Sequence, residues 1–369
     1  MKKLGLIVNP IAGMGGAVGL KGTDGKEIQK KAINLGAKQI APKRAELFLS
    51  FLKSAKNDIV ITAAAGTMGA SEARKTRLKC IIVGKSKGET SARDTVNAAK
   101  EMLKRGVDLL VFCGGDGTAR NVMDAVGTRV PVLGVPTGVK MHSAVFAFNP
   151  ESAASTACSF LFGGLPLREA EVMDVDEEAF RGGRVSAKLY GYVITPQEPN
   201  LMQGMKVATP QTEEELRNQA AIAVYFIDKI MAPNVSYIVG PGTTTRTITD
   251  LLEQKKTLLG VDLLCNGRIF AYDVNEKQIL GKIRGKNVKI VVTPIGGQGF
   301  IFGRGNQQIS PAVIRRVGKK NVIVVATKSK LSQQKSLRVD TGDLLLDREI
   351  RGKIDVVVDY GERYQMPVE

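Results

Sequence analysis

Short apolar segments alternate with amphipathic segments through the first 150 residues. The apolar segments end at glycines or prolines and predict strands over residues 4–9, 58–64, 80–84, 107–113 and 130–135. The intervening segments predict helices from about residue 24, from residue 41, between about residues 90 and 105, and over residues 119–126. Continuous apolar strands separated by helices are typical of a parallel sheet covered on both faces. The pattern therefore predicts an α/β domain over residues 1–145.

The pattern changes after about residue 144. It predicts helices over 153–162, from Thr212 to about residue 229 with Glu215 in a capping box, and over 246–254. It predicts strands over 184–194, 237–240, 268–272, 278–283, 288–292, 322–326, 337–340 and 355–360. Residues 146–369 are therefore predicted to form a β-rich second domain with helical insertions.

Charge and composition restrict the function classes. The formal net charge is +17, which favours an anionic ligand, although a Lys-rich surface that aids solubility is the alternative. Aromatic residues are 5% of the chain and tryptophan is absent, so small polyphosphate ligands are favoured over nucleic acid. No apolar run is long enough for a membrane span, and four separated cysteines argue against a zinc ribbon or a disulfide framework. We expect a cytoplasmic protein that binds neither nucleic acid nor membranes.

The strongest chemical signal is a loop between a strand and a helix, with the sequence Gly114-Gly115-Asp116-Gly117-Thr118. Glycines let the backbone approach a ligand closely, and the free amides at a helix start attract phosphate. A carboxylate beside polyphosphate is unfavourable unless it holds Mg²⁺ or takes a proton from an attacking hydroxyl. The alternative is a tight turn in which Asp116 caps a helix. The turns at 10–16 and 66–69 should lie at the same sheet edge as this loop.

Other polar residues are weaker candidates. Thr137 and Gly138 end the next strand, so Lys140 could neutralise phosphate and His142 could bind substrate; solvated polar groups at a helix start are the alternative. His142 is the single histidine, which excludes a His-rich metal site. The loop at residues 241–245 and Arg304 are further candidates for anion contact.

Several of these segments together resemble a known family. The Gly114–Thr118 loop resembles the GGDGT signature of the NAD kinase, diacylglycerol kinase and 6-phosphofructokinase superfamily, and Asn9-Pro10 followed by glycines resembles its first-strand loop. Residues 131–138 resemble the strand and turn that follow GGDGT in NAD kinases. Residues 293–300 are similar to the TPTGSTAY motif, and residues 303–311 lie where that family has its AGGP…HP segment. The chain thus resembles the ATP-NAD kinase-like proteins, which include the acetoin-catabolism protein X-like group.

The resemblance implies an N-terminal Rossmann-like domain, a β-rich C-terminal domain and a kinase that phosphorylates the 2′-hydroxyl of NAD. ATP or polyphosphate would be the donor, with Mg²⁺ or another divalent cation. Asp116 would orient or deprotonate the hydroxyl, and the loop at residues 293–297 would line the nucleotide site from the second domain. The full predicted set of phosphate- and nucleotide-binding residues is Asn9, Gly114, Gly115, Gly117, Thr118, Thr137, Gly138, Lys140, His142, Thr293, Pro294, Gly296 and Gly297. The metal ligands are left unassigned. The predicted partners are NAD and ATP-like small molecules. The resemblance also implies, though weakly, that the protein forms homo-oligomers.

The chain departs from the NAD kinase pattern in three places, one of which is a long insertion at about residues 165–257. The Asn-Glu pair nearest to Thr293 is Asn275-Glu276, which is predicted to form a hairpin turn between two strands. Gly297, Gln298 and Gly299 stand where TPTGSTAY has hydroxyl residues. The alternatives are a kinase for another small hydroxyl compound and a non-catalytic nucleotide-binding regulatory protein. A lipid kinase is less favoured because no amphipathic apolar segment is evident.

Overall fold

The computed structural model describes residues 1–20, 26–55, 57–76, 78–85, 88–138, 141–175, 187–199, 201–203, 212–257, 259–295 and 298–369. The chain divides into two compact units. Unit 1 comprises Met1–Met14 and Gly22–Lys206, and unit 2 comprises Gly15–Lys21 and Val207–Glu369. Within these described ranges, no helix combines the length and apolarity that crossing a membrane requires.

Unit 1 is built on a five-stranded parallel sheet in the order β3–β2–β1–β4–β5. Its strands are β1 (Lys2–Val8), β2 (Ile59–Ala64), β3 (Lys79–Val83), β4 (Leu109–Gly114) and β5 (Val132–Pro136), and an antiparallel pair is formed by β6 (Leu167–Val175) and β7 (Ala187–Pro196). Its helices are α1 (Lys26–Asn34), α2 (Ala41–Phe51), α3 (Ala70–Arg74), α4 (Ala92–Lys104), α5 (Asp116–Val126) and α6 (Pro150–Gly163). The predicted parallel-sheet α/β fold is confirmed.

Both faces of this sheet are buried. Successive side chains of a strand point to opposite faces, so a strand between two helical layers must be apolar throughout. In β4, Val111 packs in the same apolar cluster as Phe48 of α2, whereas Phe112 packs in the cluster that contains Val122 of α5. This two-sided burial is the reason for the uninterrupted apolar strands in the sequence.

Unit 1 continues well past the boundary predicted at residue 145. Helix α6 contributes Ala153 and Leu161 to the cluster that contains Leu133 of β5. The β6–β7 pair contributes Val172 and Val193 to the cluster on the other face of the sheet. Apolar packing thus attaches both elements to the N-terminal sheet, although their sequence character differs from that of the segments before them.

Unit 2 is built on a seven-stranded mixed sheet in the order β10–β9–β8–β11–β13–β15–β16. Strands β8, β11, β13 and β15 run parallel at its centre, and the strands at its edges are antiparallel. The strands are β8 (Val235–Val239), β9 (Asp262–Cys265), β10 (Arg268–Ala271), β11 (Asn287–Val292), β12 (Phe300–Phe302), β13 (Val322–Val325), β14 (Arg338–Val339), β15 (Gly352–Asp359) and β16 (Glu362–Val368), of which β12 and β14 form a separate pair. The helices are α7 (Glu213–Tyr225), α8 (Thr243–Leu251), α9 (Glu276–Lys282), α10 (Pro311–Val317), α11 (Lys328–Ser332) and α12 (Leu344–Ile350).

One segment of unit 2 corrects two predictions. Residues 278–283 were predicted as a strand and Asn275-Glu276 as a hairpin turn, and both predictions are wrong because this segment forms α9. Asn275 Oδ1 accepts from the Gln278 amide at 3.0 Å, and Gln278 Oε1 accepts from the Asn275 amide at 2.9 Å. This reciprocal pair is a capping box, which stabilises the start of a short helix.

Candidate functional site

The predicted loops of unit 1 meet at one edge of its sheet. Strands β1, β4 and β5 are parallel neighbours, so their carboxyl ends lie side by side, where such sheets bind ligands. The Asn9 amide donates to the Cys113 carbonyl at 2.9 Å, and Asn9 Nδ2 donates to Thr118 Oγ1 at 3.0 Å. Asn9 therefore joins the loop after β1 to the glycine-rich loop after β4.

Glycines at this edge allow close approach between loops. Gly13 has φ +79°, and a Cβ there would lie 1.8 Å from the Thr137 carbonyl oxygen. A Cβ on Gly114 would lie 2.4 Å from Thr118 Oγ1. Around Gly115, in contrast, no described atom beyond its own neighbours in the chain lies within 4 Å of the corresponding point. The first two glycines are required for packing, while Gly115 leaves open space at the start of α5.

Asp116 is the first residue of α5 and is only 7% exposed. Its Oδ1 accepts from the Ser143 amide at 2.9 Å and from Ser143 Oγ at 2.6 Å. The His142 amide donates to Oδ2 at 3.0 Å and to Oδ1 at 3.2 Å. These four hydrogen bonds hold the carboxylate in one orientation. Asp116 thus binds the segment after β5, a different role from the cap of its own helix.

The segment after β5 brings together several predicted residues. His142 is buried and contacts Asp116 through its backbone amide. Thr137 is buried, and within the described ranges its Oγ1 has no hydrogen-bond partner, whereas its amide donates to the Gly114 carbonyl at 3.2 Å. Gly138 is half-buried, and Lys140 lies outside the described residues.

Ser143 was missing from the predicted set. Its hydroxyl donates to Asp116 and accepts from the Met173 amide of β6 at 2.9 Å. The only sequence signal was its position directly after His142, which does not show that it reaches a residue 27 positions earlier. Gly117, the predicted residue next to Asp116, is half-buried in the first turn of α5.

The predicted residues after β11 belong to unit 2. Thr293 and Pro294 are buried, and Thr293 Oγ1 accepts from Lys330 Nζ at 3.3 Å. Gly296 and Gly297 lie outside the described residues. Arg304, a weaker candidate for phosphate contact, is buried with its Nε 3.2 Å from Asp340 Oδ2 and its guanidinium over the Phe300 ring. That arrangement favours a structural role for Arg304.

Two buried acidic groups of unit 1 have raised pKa values. Burial raises the pKa of Cys113, so this thiol at the end of β4 is neutral at pH 7. Burial also raises the pKa of the Glu72 carboxyl, which lies in α3 after β2, while backbone hydrogen bonds and Lys75 lower it less. Among the residues that the structure describes, no three His, Cys, Asp or Glu side chains converge as a metal site.

Comparison with protein families agrees with the motifs. The model of the ATP-NAD kinase N-terminal domain matches residues 4–164, and that of the C-terminal domain matches residues 233–368. The chain belongs to the ATP-NAD kinase family. It is thus a member of a kinase family, and the matched ranges include both the Gly114–Thr118 loop and the loop after β11. No curated protein matches the chain.

Proposed function

We propose that this protein transfers a phosphoryl group from ATP or polyphosphate to the 2′-hydroxyl of NAD. The observation that carries the proposal is the carboxylate of Asp116 at the start of α5, which hydrogen bonds from His142 and Ser143 hold in place within the signature loop of a kinase family. The uncapped amides of a helix start attract the phosphates of a nucleotide. The open space beside Gly115 leaves room for such a ligand.

In this proposal Asp116 orients the acceptor hydroxyl. The hydroxyl oxygen attacks the terminal phosphorus of the donor, the bond from phosphorus to the bridging oxygen breaks, and the hydroxyl proton passes to the Asp116 carboxylate. Phosphoryl transfer asks mainly for alignment and charge neutralisation, so a well-held carboxylate suits the reaction better than a strong base. The bonds from His142 and Ser143 supply that positioning.

We also propose a divalent cation such as Mg²⁺. When bound, it would neutralise the charge of the donor phosphates. Nucleotide-bound Mg²⁺ usually takes one or two protein carboxylates together with phosphate oxygens and water. Asp116 is the carboxylate of the signature loop that would hold it.

The proposed reaction is tested by mass spectrometry of NAD incubated with the purified protein, Mg²⁺ and either ATP or polyphosphate. We expect NAD to gain one phosphate at the 2′-position with at least one donor. Unchanged NAD with every donor and divalent cation would contradict the proposal. Parallel incubations with NADH and small polyols would identify a different hydroxyl acceptor.

A nucleotide-binding protein without turnover is the second candidate. It is favoured by one observation: both carboxylate oxygens of Asp116 already accept hydrogen bonds from His142 or Ser143. Isothermal titration of NAD separates the two candidates. Tight binding without any phosphorylated product would favour the second one.

The proposed setting is the cytoplasm, with small molecules as partners in place of nucleic acid or membranes. Cys80, Cys113, Cys158 and Cys265 are free thiols, which suits a reducing compartment. A gel-shift assay, vesicle co-sedimentation and sedimentation velocity would test nucleic-acid binding, membrane binding and self-association in turn.

A further inference from the structure

Unit 2 has a polar edge of its own, in which three neighbouring parallel strands end. Strands β8, β11 and β13 are adjacent in its sheet and run in the same direction. The loop at residues 240–245 follows β8, Thr293 follows β11, and helix α11 with Lys330 follows β13. Carboxyl ends of parallel strands are where open sheets bind ligands.

The loop after β8 ends in an uncapped helix start. Gly242 is the N-cap of the nine-residue helix α8, which has no side-chain cap and no acidic residue in its first turn. Thr245 Oγ1 donates to the carbonyls of Gly240 at 2.8 Å and Gly242 at 3.0 Å, which holds the loop in shape. The first amides of α8 and its dipole therefore favour a negative group at this end.

The same loop packs closely against Thr293. Gly242 has φ +131°, and a Cβ there would lie 2.4 Å from Thr293 Cγ2. Thr293 Oγ1 in turn accepts from Lys330 Nζ at 3.3 Å. Through these contacts the ammonium group of Lys330 lies at the edge where α8 starts. Lys330 is only 8% exposed.

A second, independent observation points to a ligand. Thr244 is fully buried in the first turn of α8, and its Oγ1 has no hydrogen-bond partner among the described residues. The Cα–Cβ bonds of a helix tilt toward its N-terminus, so the side chain of Thr244 leans toward the start of α8. Buried polar groups without partners cost free energy, which a ligand oxygen at this place would recover.

One carboxylate also lies near this edge. Glu215 Oε1 accepts from Thr327 Oγ1 at 2.8 Å and from Gln219 Nε2 at 3.1 Å. Thr327 is the N-cap of α11, the helix that carries Lys330. The carboxylate of Glu215 therefore repels an anion bound at this edge. For binding, the attraction of the anion to Lys330 and to the dipole of α8 must exceed this repulsion.

We propose that unit 2 contains a phosphate-binding centre of its own. The first amides of α8, the hydroxyl of Thr244 and the ammonium of Lys330 would hold one phosphate group of a nucleotide or of polyphosphate. The inference goes beyond the proposed NAD phosphorylation, since each of its residues is in unit 2 and none of them depends on Asp116.

The charge of Lys330 is tested by titrating the full-length protein calorimetrically with inorganic tripolyphosphate. We expect Lys330→Met to weaken binding about tenfold to a hundredfold, the range of a lost charge-assisted hydrogen bond. Lys328→Met is the matched control, because Lys328 lies two residues earlier in α11 and pairs with Asp359 and Glu362. Equal losses in the two variants would mean general attraction by a basic surface and would overturn the proposal.

Thr244→Val separates a ligand-binding hydroxyl from a structural one. The variant keeps the side-chain shape and removes the buried hydroxyl, so we expect unchanged or higher thermal stability without phosphate. We expect tripolyphosphate binding to weaken about two- to tenfold, the range of a neutral hydrogen bond. Lower stability with unchanged affinity would show a purely structural hydroxyl and contradict the centre.

Two further measurements complete the test. NAD phosphorylation is assayed on the same unmodified protein as tripolyphosphate binding, so failure of the proposed kinase activity and failure of this centre give different results. Comparison of ATP with tripolyphosphate identifies the source of the phosphate. Tighter binding of ATP that still depends on Lys330 assigns the centre to a nucleotide, and the reverse order assigns it to polyphosphate.

Discussion

Ser143 binds the carboxylate of Asp116 twice, through its amide at 2.9 Å and through its hydroxyl at 2.6 Å. The two residues are 27 positions apart, so the bonds join the start of α5 to the segment after β5. The Ser143 hydroxyl also accepts from the Met173 amide, which adds β6 to the same network. Asp116 is therefore the acidic group of the family loop, and its hydrogen bonds also connect three segments of unit 1: the start of α5, the segment after β5, and β6.

This double role determines what Asp116→Asn should do. An asparagine amide group cannot accept at both positions, so the amides of His142 and Ser143 compete for one oxygen. We expect unit 1 to lose about 1–3 kcal/mol of stability. If Asp116 takes up the hydroxyl proton, NAD phosphorylation should fall about 10²- to 10⁴-fold. Mass spectrometry of the product and urea unfolding measure the two effects.

Ser143→Ala is the control for that variant. It removes one hydroxyl donor, keeps the carboxylate, and leaves the Met173 amide without its acceptor. We expect a stability loss of similar size, about 1–3 kcal/mol, with a smaller loss of turnover than in Asp116→Asn. Near-normal turnover of Asp116→Asn would remove this residue from its proposed role.

The approach of the loop after β1 to Thr137 gives a second prediction. Gly13→Ala places a Cβ where the Thr137 carbonyl oxygen already lies, whereas Gly36→Ala meets no described atom within 4 Å. Both glycines have φ near +80° and belong to unit 1, so both variants carry the backbone cost of about 1 kcal/mol or more. We expect Gly13→Ala to lose a further ~1–3 kcal/mol by overpacking.

Urea unfolding of these two variants measures the difference, and NAD titration shows whether the site is displaced. We expect Gly36→Ala to bind NAD as the unmodified protein does, while Gly13→Ala binds it more weakly. Equal stability of the two variants would mean that the loop after β1 can move away from Thr137 at no cost.

The parallel sheet of unit 1 could be predicted because burial on two faces leaves an uninterrupted apolar strand. The edge holding Asn9 and Asp116 followed from it, since all carboxyl ends of parallel strands share one side. The bond from Ser143 to Asp116 could not be predicted, because a serine near a site has no pattern that shows its partner.

Two differences between prediction and structure have another physical origin. The segment around Ile279 and Leu280 is a short apolar run, and such runs do not distinguish a strand from one turn of helix; the capping pair Asn275 and Gln278 was the deciding feature. The boundary was predicted at residue 145 because composition changes there, whereas the first compact unit continues to Lys206. Packing of α6 against β5 depends on surface complementarity, which a local pattern does not contain.

The raised pKa of Glu72 predicts a specific pH dependence. Because burial raises the folded pKa of the Glu72 carboxyl above its ordinary value of 4.5, the folded state holds the proton more tightly than the unfolded chain. Its contribution to stability is then greatest below about pH 4.5 and is lost as pH rises through the folded pKa. We expect Glu72→Gln to be more stable than the unmodified protein at pH 7 and to lose that advantage in acid.

Thermal unfolding of Glu72→Gln from pH 4 to pH 8 measures this effect. Glu101→Gln is the matched control, since Glu101 is a half-exposed residue of α4 in unit 1 and pairs with Arg105. We expect the control to follow the unmodified protein across the range. A constant difference between Glu72→Gln and the unmodified protein would show that Glu72 titrates normally.

The buried pair of Lys256 and Asp262 gives the last prediction. Lys256 Nζ lies 3.8 Å from Asp262 Oδ2 and donates to the carbonyls of Thr257 at 2.7 Å and Gly260 at 3.0 Å. Lys256→Met leaves a buried carboxylate without its counter-charge, so we expect a loss of about 3–5 kcal/mol. Lys255→Met removes the same charge from an exposed neighbour and should change stability by no more than about 0.5 kcal/mol. Hydrogen exchange in β8 and β9 reports on unit 2; equal exchange in the two variants would show that the pair contributes nothing to its stability.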